Sequence, residues 1–138
     1  MRIRLTFLLL FSLICSLANL GGQIVSAQVG FGEAIPTPVI SVSPSNYYPL
    51  DEVLYLEGRG LAGANLEILF EKVSGGSQPV LVNTQSNANG EWYFSQTLEL
   101  SSGEWSVRAR VSDGYNSSAW SSPRIMHSVV SGFFLGSV

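Results

Sequence analysis

The chain has 138 residues, of which 12% are charged, with seven basic against ten acidic side chains and a net charge of −3. That acidic balance argues against the basic patches that nucleic acids and anionic lipid surfaces require. Cys15 is the only cysteine, so an internal disulfide is excluded.

Arg2 and Arg4 precede an apolar run from Leu5 to Leu20, broken only by Thr6, small residues and Asn19. Val25-Ser26-Ala27 then offers small side chains where a signal peptidase cuts, which predicts a signal peptide over residues 1–27. The run is 16 residues long, short of the roughly 20 that span a bilayer, so cleavage is preferred to a retained anchor. A lipoprotein reading would use Cys15, but the branched Ile14 stands before it where a small residue belongs. Cleavage leaves 138 − 27 = 111 residues and 7 − 2 = 5 basic side chains against ten acids, a net charge near −5. That length suits one domain. Its compartment would be outside the cell or at the cell surface, with membrane contact only through the signal or a C-terminal anchor.

Residues 28–35 carry glycine and no periodicity, and read as a linker. A domain is expected over 36–128. Val39 to Ser43 alternates between Pro38 and Pro44, as a short edge strand would. Val53 to Glu57 is a second predicted strand, with Leu54 and Leu56 inward, and Asn65 to Lys72 a third, with Leu66, Ile68 and Phe70 on one face. Ser74-Gly75-Gly76-Ser77 turns the chain into a weaker fourth strand over 79–84, and Asn87-Ala88-Asn89-Gly90 turns it again. Residues 91–111 carry the clearest pattern. Trp92, Phe94, Gln96, Leu98 and Leu100 alternate with polar side chains up to Ser101-Ser102-Gly103, and Trp105, Val107, Ala109 and Val111 alternate after it. A period of two places each set on one face, so this stretch predicts a β-hairpin with an apolar and a polar side. Asp113-Gly114-Tyr115-Asn116 is a further turn, and a last irregular strand runs from about Ala119 to Val129. No window has a helical stripe. About seven short strands over this length predict an all-β, immunoglobulin-like β-sandwich, with its core built largely from Trp92, Trp105, Phe94 and Phe70.

Three segments carry a resemblance. Gly58-Arg59-Gly60-Leu61-Ala62-Gly63-Ala64-Asn65-Leu66 resembles the bend between strands of bacterial Ig-like domains. Asn87-Ala88-Asn89-Gly90-Glu91-Trp92-Tyr93-Phe94 is similar to their turn and following strand, and Gly103-Glu104-Trp105-Ser106-Val107-Arg108-Ala109 to a later strand. Gly60, Ala62 and Trp105 depart from the pattern, where alanine, proline and tyrosine are usual. The resemblance implies sandwich modules of bacterial surface proteins that serve as spacers, stalks or adhesive units. It does not itself confer an activity.

Site residues are few. His127 is the only histidine and reads as a strand residue, and no serine stands in a nucleophile elbow. Asp51-Glu52, Glu67 with Glu71, and Glu91 with Glu99 are carboxylate pairs on predicted turns or wet faces, not flanking a cleft as glycoside hydrolysis demands. Asp51, Glu52, Asn89, Asp113 and Asn116 sit in turns that could offer oxygens to a structural calcium, but no calcium-loop spacing joins them. No cofactor is therefore expected. Tyr47, Tyr48 and Tyr115, with Tyr93 beside them, are predicted to be exposed and form the candidate binding surface, because aromatic rings stack on sugars and anchor protein partners. The expected partner is a protein or glycan at the cell surface. Val129 to Val138 is apolar, uncharged and half the length of a span, and reads as the opening of a membrane anchor or further module cut off at residue 138. The expectation is a non-catalytic exported spacer or adhesion module, with a carbohydrate-binding module as the alternative.

Overall fold

A computed structural model of the chain describes residues 34–130. The predicted signal peptide, most of the linker and the tail from residue 131 lie outside the described residues. Strands are β1 Val39–Val42, β2 Asn46–Tyr47, β3 Leu54–Arg59, β4 Asn65–Lys72, β5 Val80–Gln85, β6 Glu91–Gln96, β7 Gly103–Val111 and β8 Arg124–Ser128. The described residues are all β and form two sheets, of order β1-β3-β6 and β2-β8-β7-β4-β5, facing each other as a sandwich. No helix among them is long and apolar enough to cross a membrane.

The alternation is obeyed where it was clearest. β4 buries Leu66, Ile68 and Phe70, and β7 buries Trp105, Val107, Ala109 and Val111. β3 buries Leu54 and Leu56 against Trp92 and Phe94 of β6, and the Phe70 and Phe94 rings meet across the sheets with centroids 6.3 Å apart. Gly58 completes that inner row. A Cβ there would stand 2.2 Å from Cζ2 of Trp92 and 2.1 Å from the Val39 carbonyl oxygen, so only glycine lets the indole lie flat on β3.

The expected hairpin over residues 91–111 does not form. β6 pairs with β3, from Leu54↔Gln96 to Arg59↔Glu91, while β7 pairs with β4 and β8 in the opposite sheet. Alternation states which face a side chain takes, and two strands on opposite sheets of a sandwich alternate just as a hairpin does. Residues 97–102 are a crossover. Leu98 and Leu100 turn into the core from the crossover instead of from a strand, and Gln96, expected on the apolar face, is exposed at the end of β6.

Two further differences have local causes. β2 is an additional strand that pairs in parallel with the end of β8, Tyr47 opposite Ser128. β8 begins later than expected because residues 118–121 bond β7 as an irregular segment. Ser118 and Ser121 are buried there, and their hydroxyls accept from the Val111 and Ala109 N–H groups at 3.0 Å. Serine side chains thus complete a ladder that the main chain leaves open.

Candidate functional site

The three tyrosines expected to form one exposed surface do not share one. Tyr47 is fully buried: its hydroxyl donates to the Leu98 carbonyl at 2.9 Å and accepts from the Leu98 N–H at 2.8 Å, holding the crossover in place. Its position between two turn-like segments concealed a strand whose inward face it occupies. Tyr48 is 39% exposed in the turn after β2, and Tyr115 is 97% exposed in the turn after β7. β2 lies beside Ser128, which pairs with Gly103 at the start of β7, whereas Tyr115 follows Val111 at its end. The length of β7, about 3.3 Å per residue, separates them.

Two of the turn carboxylates, Glu52 and Asp113, are occupied by their own backbones. Glu52 accepts from the Tyr48 N–H at 2.8 Å, and Asp113 accepts from the N–H groups of Tyr115 and Asn116 at 2.8 and 2.6 Å. Those bonds from Asn116 and then Tyr115 hold the Asp113 carboxyl below its ordinary pKa. The Asn87 amide oxygen likewise takes the N–H groups of Asn89 and Glu91. Among the described residues, no group of three histidine, cysteine or acidic side chains converges as a metal site would require. His127 is an exposed β8 residue between Asn46 and Glu104.

The aromatic pair that does lie on one surface is Tyr55 and Tyr93. Leu54 and Leu56 face inward, which turns Tyr55 outward, and Trp92 and Phe94 do the same for Tyr93. Tyr93 stands opposite Glu57 and Tyr55 opposite Ser95, so the two rings are diagonal neighbours on the outer face of the three-stranded sheet. Tyr55 is 42% exposed and Tyr93 67%. The Tyr55 hydroxyl donates to Glu57, which raises the phenol above its ordinary pKa. Beside them a shallow depression of about 370 Å³ is lined by Ser41, Glu57, Arg59, Asn87, Glu91 and Tyr93. The surface therefore offers planar rings next to carboxylates, an amide and a guanidinium, a combination suited to hydroxyl-rich ligands. Tyr55 was legible in the sequence through the alternation Leu54-Tyr55-Leu56 and was not singled out.

The outer face of the five-stranded sheet is built differently. Arg108 pairs with Glu71 and Arg110 with Glu67, the latter at 2.6 Å, across the β4–β7 ladder. Arg110 also stacks on the Trp120 ring, 4.4 Å from its centroid. Both arginines of β7 are thus met by carboxylates of β4. The chain matches no family model, and no curated protein is significantly similar to it.

Proposed function

We propose that the chain is an exported immunoglobulin-like domain that works without catalysis, as a spacer or adhesion module at the cell surface. One observation carries the reading. Ile35 packs on the core at the end of the sandwich that holds Asn65 and Val111, while the Val130 N–H bonds Ser102 beside Gly103, at the other end of β7. The described chain therefore joins the sandwich at one end and leaves it at the opposite end, as a unit does that holds its flanking segments apart. The strand order supports the immunoglobulin-like assignment, with β1, β3 and β6 in the places of strands A, B and E, and β4, β5, β7 and β8 in those of C, C′, F and G. Expression in a bacterial host with a C-terminal epitope tests the proposal. The exported product should begin at Gln28, and intact cells should bind the antibody. Full-length product retained inside the cell overturns it.

The exposed Tyr55 and Tyr93 pair favours one second reading, a carbohydrate-binding module whose platform is the outer face of the three-stranded sheet. A glycan array probed with the exported protein separates the two. Binding lost in Tyr93→Ala supports the module, and repeated blank arrays favour the spacer.

A further inference from the structure

Two sheets present four edges, β1 and β6 on one and β2 and β5 on the other. An open edge invites another strand, and proteins blunt edges with proline, bulges, short length or charge. Three of these four are blunted. β1 lies between Pro38 and Pro44, carries a bulge between Ile40 and Val42, and has its Ile40 carbonyl capped by Nε and Nη2 of Arg124 at 3.1 and 2.9 Å. β2 is two residues long and lies between Pro44 and Pro49. β6 begins with the charged Glu91, and its Tyr93 carbonyl accepts the Thr84 hydroxyl at 2.6 Å.

β5 is preceded by Pro79, but it carries no bulge, no charge and, among the described residues, no capped carbonyl. Val80-Leu81-Val82-Asn83-Thr84-Gln85 contains no charge and no proline, and its register with β4 runs unbroken from Phe70↔Val80 to Asn65↔Gln85. The direction of its backbone groups follows from one bond. The Ser86 N–H donates to the Ala64 carbonyl at 2.9 Å, which makes Ala64 and Ser86 a bonded pair. Bonded pairs alternate along an antiparallel ladder. Thr84, Val82 and Val80 therefore turn their amides toward β4, and Leu81, Asn83 and Gln85 turn theirs toward solvent. The same rule applied to β6 from the Gly60–Gly90 bond sends the Tyr93 carbonyl outward, where Thr84 meets it.

We propose that β5 is a self-association edge, through which two copies of this chain join antiparallel about a two-fold axis at Asn83. In that register Asn83 pairs with its own mate, and Leu81 with Gln85 of the second copy. Three outward pairs exchanging two bonds each give about six main-chain hydrogen bonds, and every exposed amide of β5 finds a partner. Val82 meets Thr84 on the inner face, so no like charges oppose each other anywhere along the seam. A second copy is the occupant that this self-complementary register fits, and β5 is where its charge opposes it least. The exported chain, at 5 − 10 = −5, repels itself over most of its surface, and β5 is the long edge where no acid stands. The adjoining β4 acids Glu67 and Glu71 are already neutralised by Arg110 and Arg108.

Cysteine cross-linking of the exported chain, on a Cys15→Ser background, tests the register. Residues in a bonded antiparallel pair have Cα atoms about 5.5 Å apart, within the span of a disulfide. Asn83→Cys should cross-link readily, Leu81→Cys alone should not, and Leu81→Cys with Gln85→Cys should. Sedimentation of the cysteine-free chain should show a concentration-dependent dimer. Asn83→Pro should abolish it while leaving the melting temperature close to the parent's, since the Asn83 N–H serves no bond within the fold. A monomer at every concentration overturns the proposal and leaves the edge to a strand of another protein. A dimer that persists in Asn83→Pro also overturns it, because the seam then lies elsewhere.

Discussion

The two outer faces of the sandwich differ in what they leave unpaired. On the five-stranded face, Arg108 and Arg110 lie between Glu71, Glu67 and the Trp120 ring, and the Glu67–Arg110 side chains are only 21% and 31% exposed. On the three-stranded face the Arg59–Glu91 ion pair is 73% and 50% exposed, so water screens it and it contributes little. Tyr55 and Tyr93 stand there with ring surface uncovered. One face is a structural lattice and the other an open platform. In a domain this small, a surface that satisfies itself has little left with which to attract a ligand.

The largest expected effects come from the core beneath each face, where each sheet carries one tryptophan. Trp105 of the five-stranded sheet donates from its indole to the Ser101 carbonyl at 2.9 Å, whereas the buried Trp92 Nε1 of the other sheet has no partner among the described residues. Trp105→Ala should cost about 3–5 kcal/mol, which approaches the whole stability of a domain of this size. Replacement by phenylalanine sharpens the contrast. Trp105→Phe leaves the Ser101 carbonyl unpaired, and Trp92→Phe removes a donor that bonds nothing. Chemical denaturation should therefore find Trp105→Phe the more damaging of the two, and equal losses would mean that the indole bond contributes nothing.

Gly58→Ala is the next largest. Its methyl would meet both a backbone carbonyl and the Trp92 ring, neither of which is a flexible side-chain end. Overpacking of that kind costs about 1–3 kcal/mol, and the loss should fall on the β1-β3-β6 sheet. Hydrogen exchange read strand by strand should show β3 and β6 amides deprotected more than those of β4. Uniform deprotection would mean that the two sheets open as one unit.

The faces of β3, β4, β6 and β7 were legible in the sequence because a period of two survives any choice of neighbour. The neighbour itself was not. Residues 91–111 alternate as a hairpin would, and only the packing of the half-buried Leu98 and buried Leu100 in a crossover, gripped by Tyr47, distinguishes a change of sheet. Tyr47 was misplaced for the same reason, since a two-residue strand between prolines leaves no periodic trace. Tyr55 and Tyr93 could be read as outward from their own strands. Their adjacency depends on the β3–β6 register, which local pattern does not encode.

On the outer faces the effects are smaller. Trp120→Ala removes the ring beneath Arg110 and should cost about 1 kcal/mol, while Tyr93→Ala should leave stability within about 0.5 kcal/mol of the parent. Thermal melts of the two variants measure the contrast directly. Equal losses would show that the open face is as structural as the closed one.

The smallest effect concerns the Tyr55 phenol. Its hydrogen bond to Glu57 raises its pKa above 10.0, with desolvation, the Glu57 charge and Tyr93 acting in the same direction. A raised folded-state pKa means that this contribution to stability is fully present below pH 10.0 and is lost as the pH climbs through the folded-state value. Glu57→Gln removes the charge and keeps an acceptor, so the ionisation of Tyr55 should fall back toward 10.0 without reaching it, because desolvation remains. Carbon NMR of ring-labelled tyrosine against pH resolves the step. A ligand seated on this platform would remove more water from the phenol and push its ionisation higher still, so the same titration repeated with an oligosaccharide reports on binding as well as on the bond. If Glu57→Gln leaves the step unmoved, Glu57 does not hold the Tyr55 hydroxyl in solution, and the ring is free to turn toward a ligand.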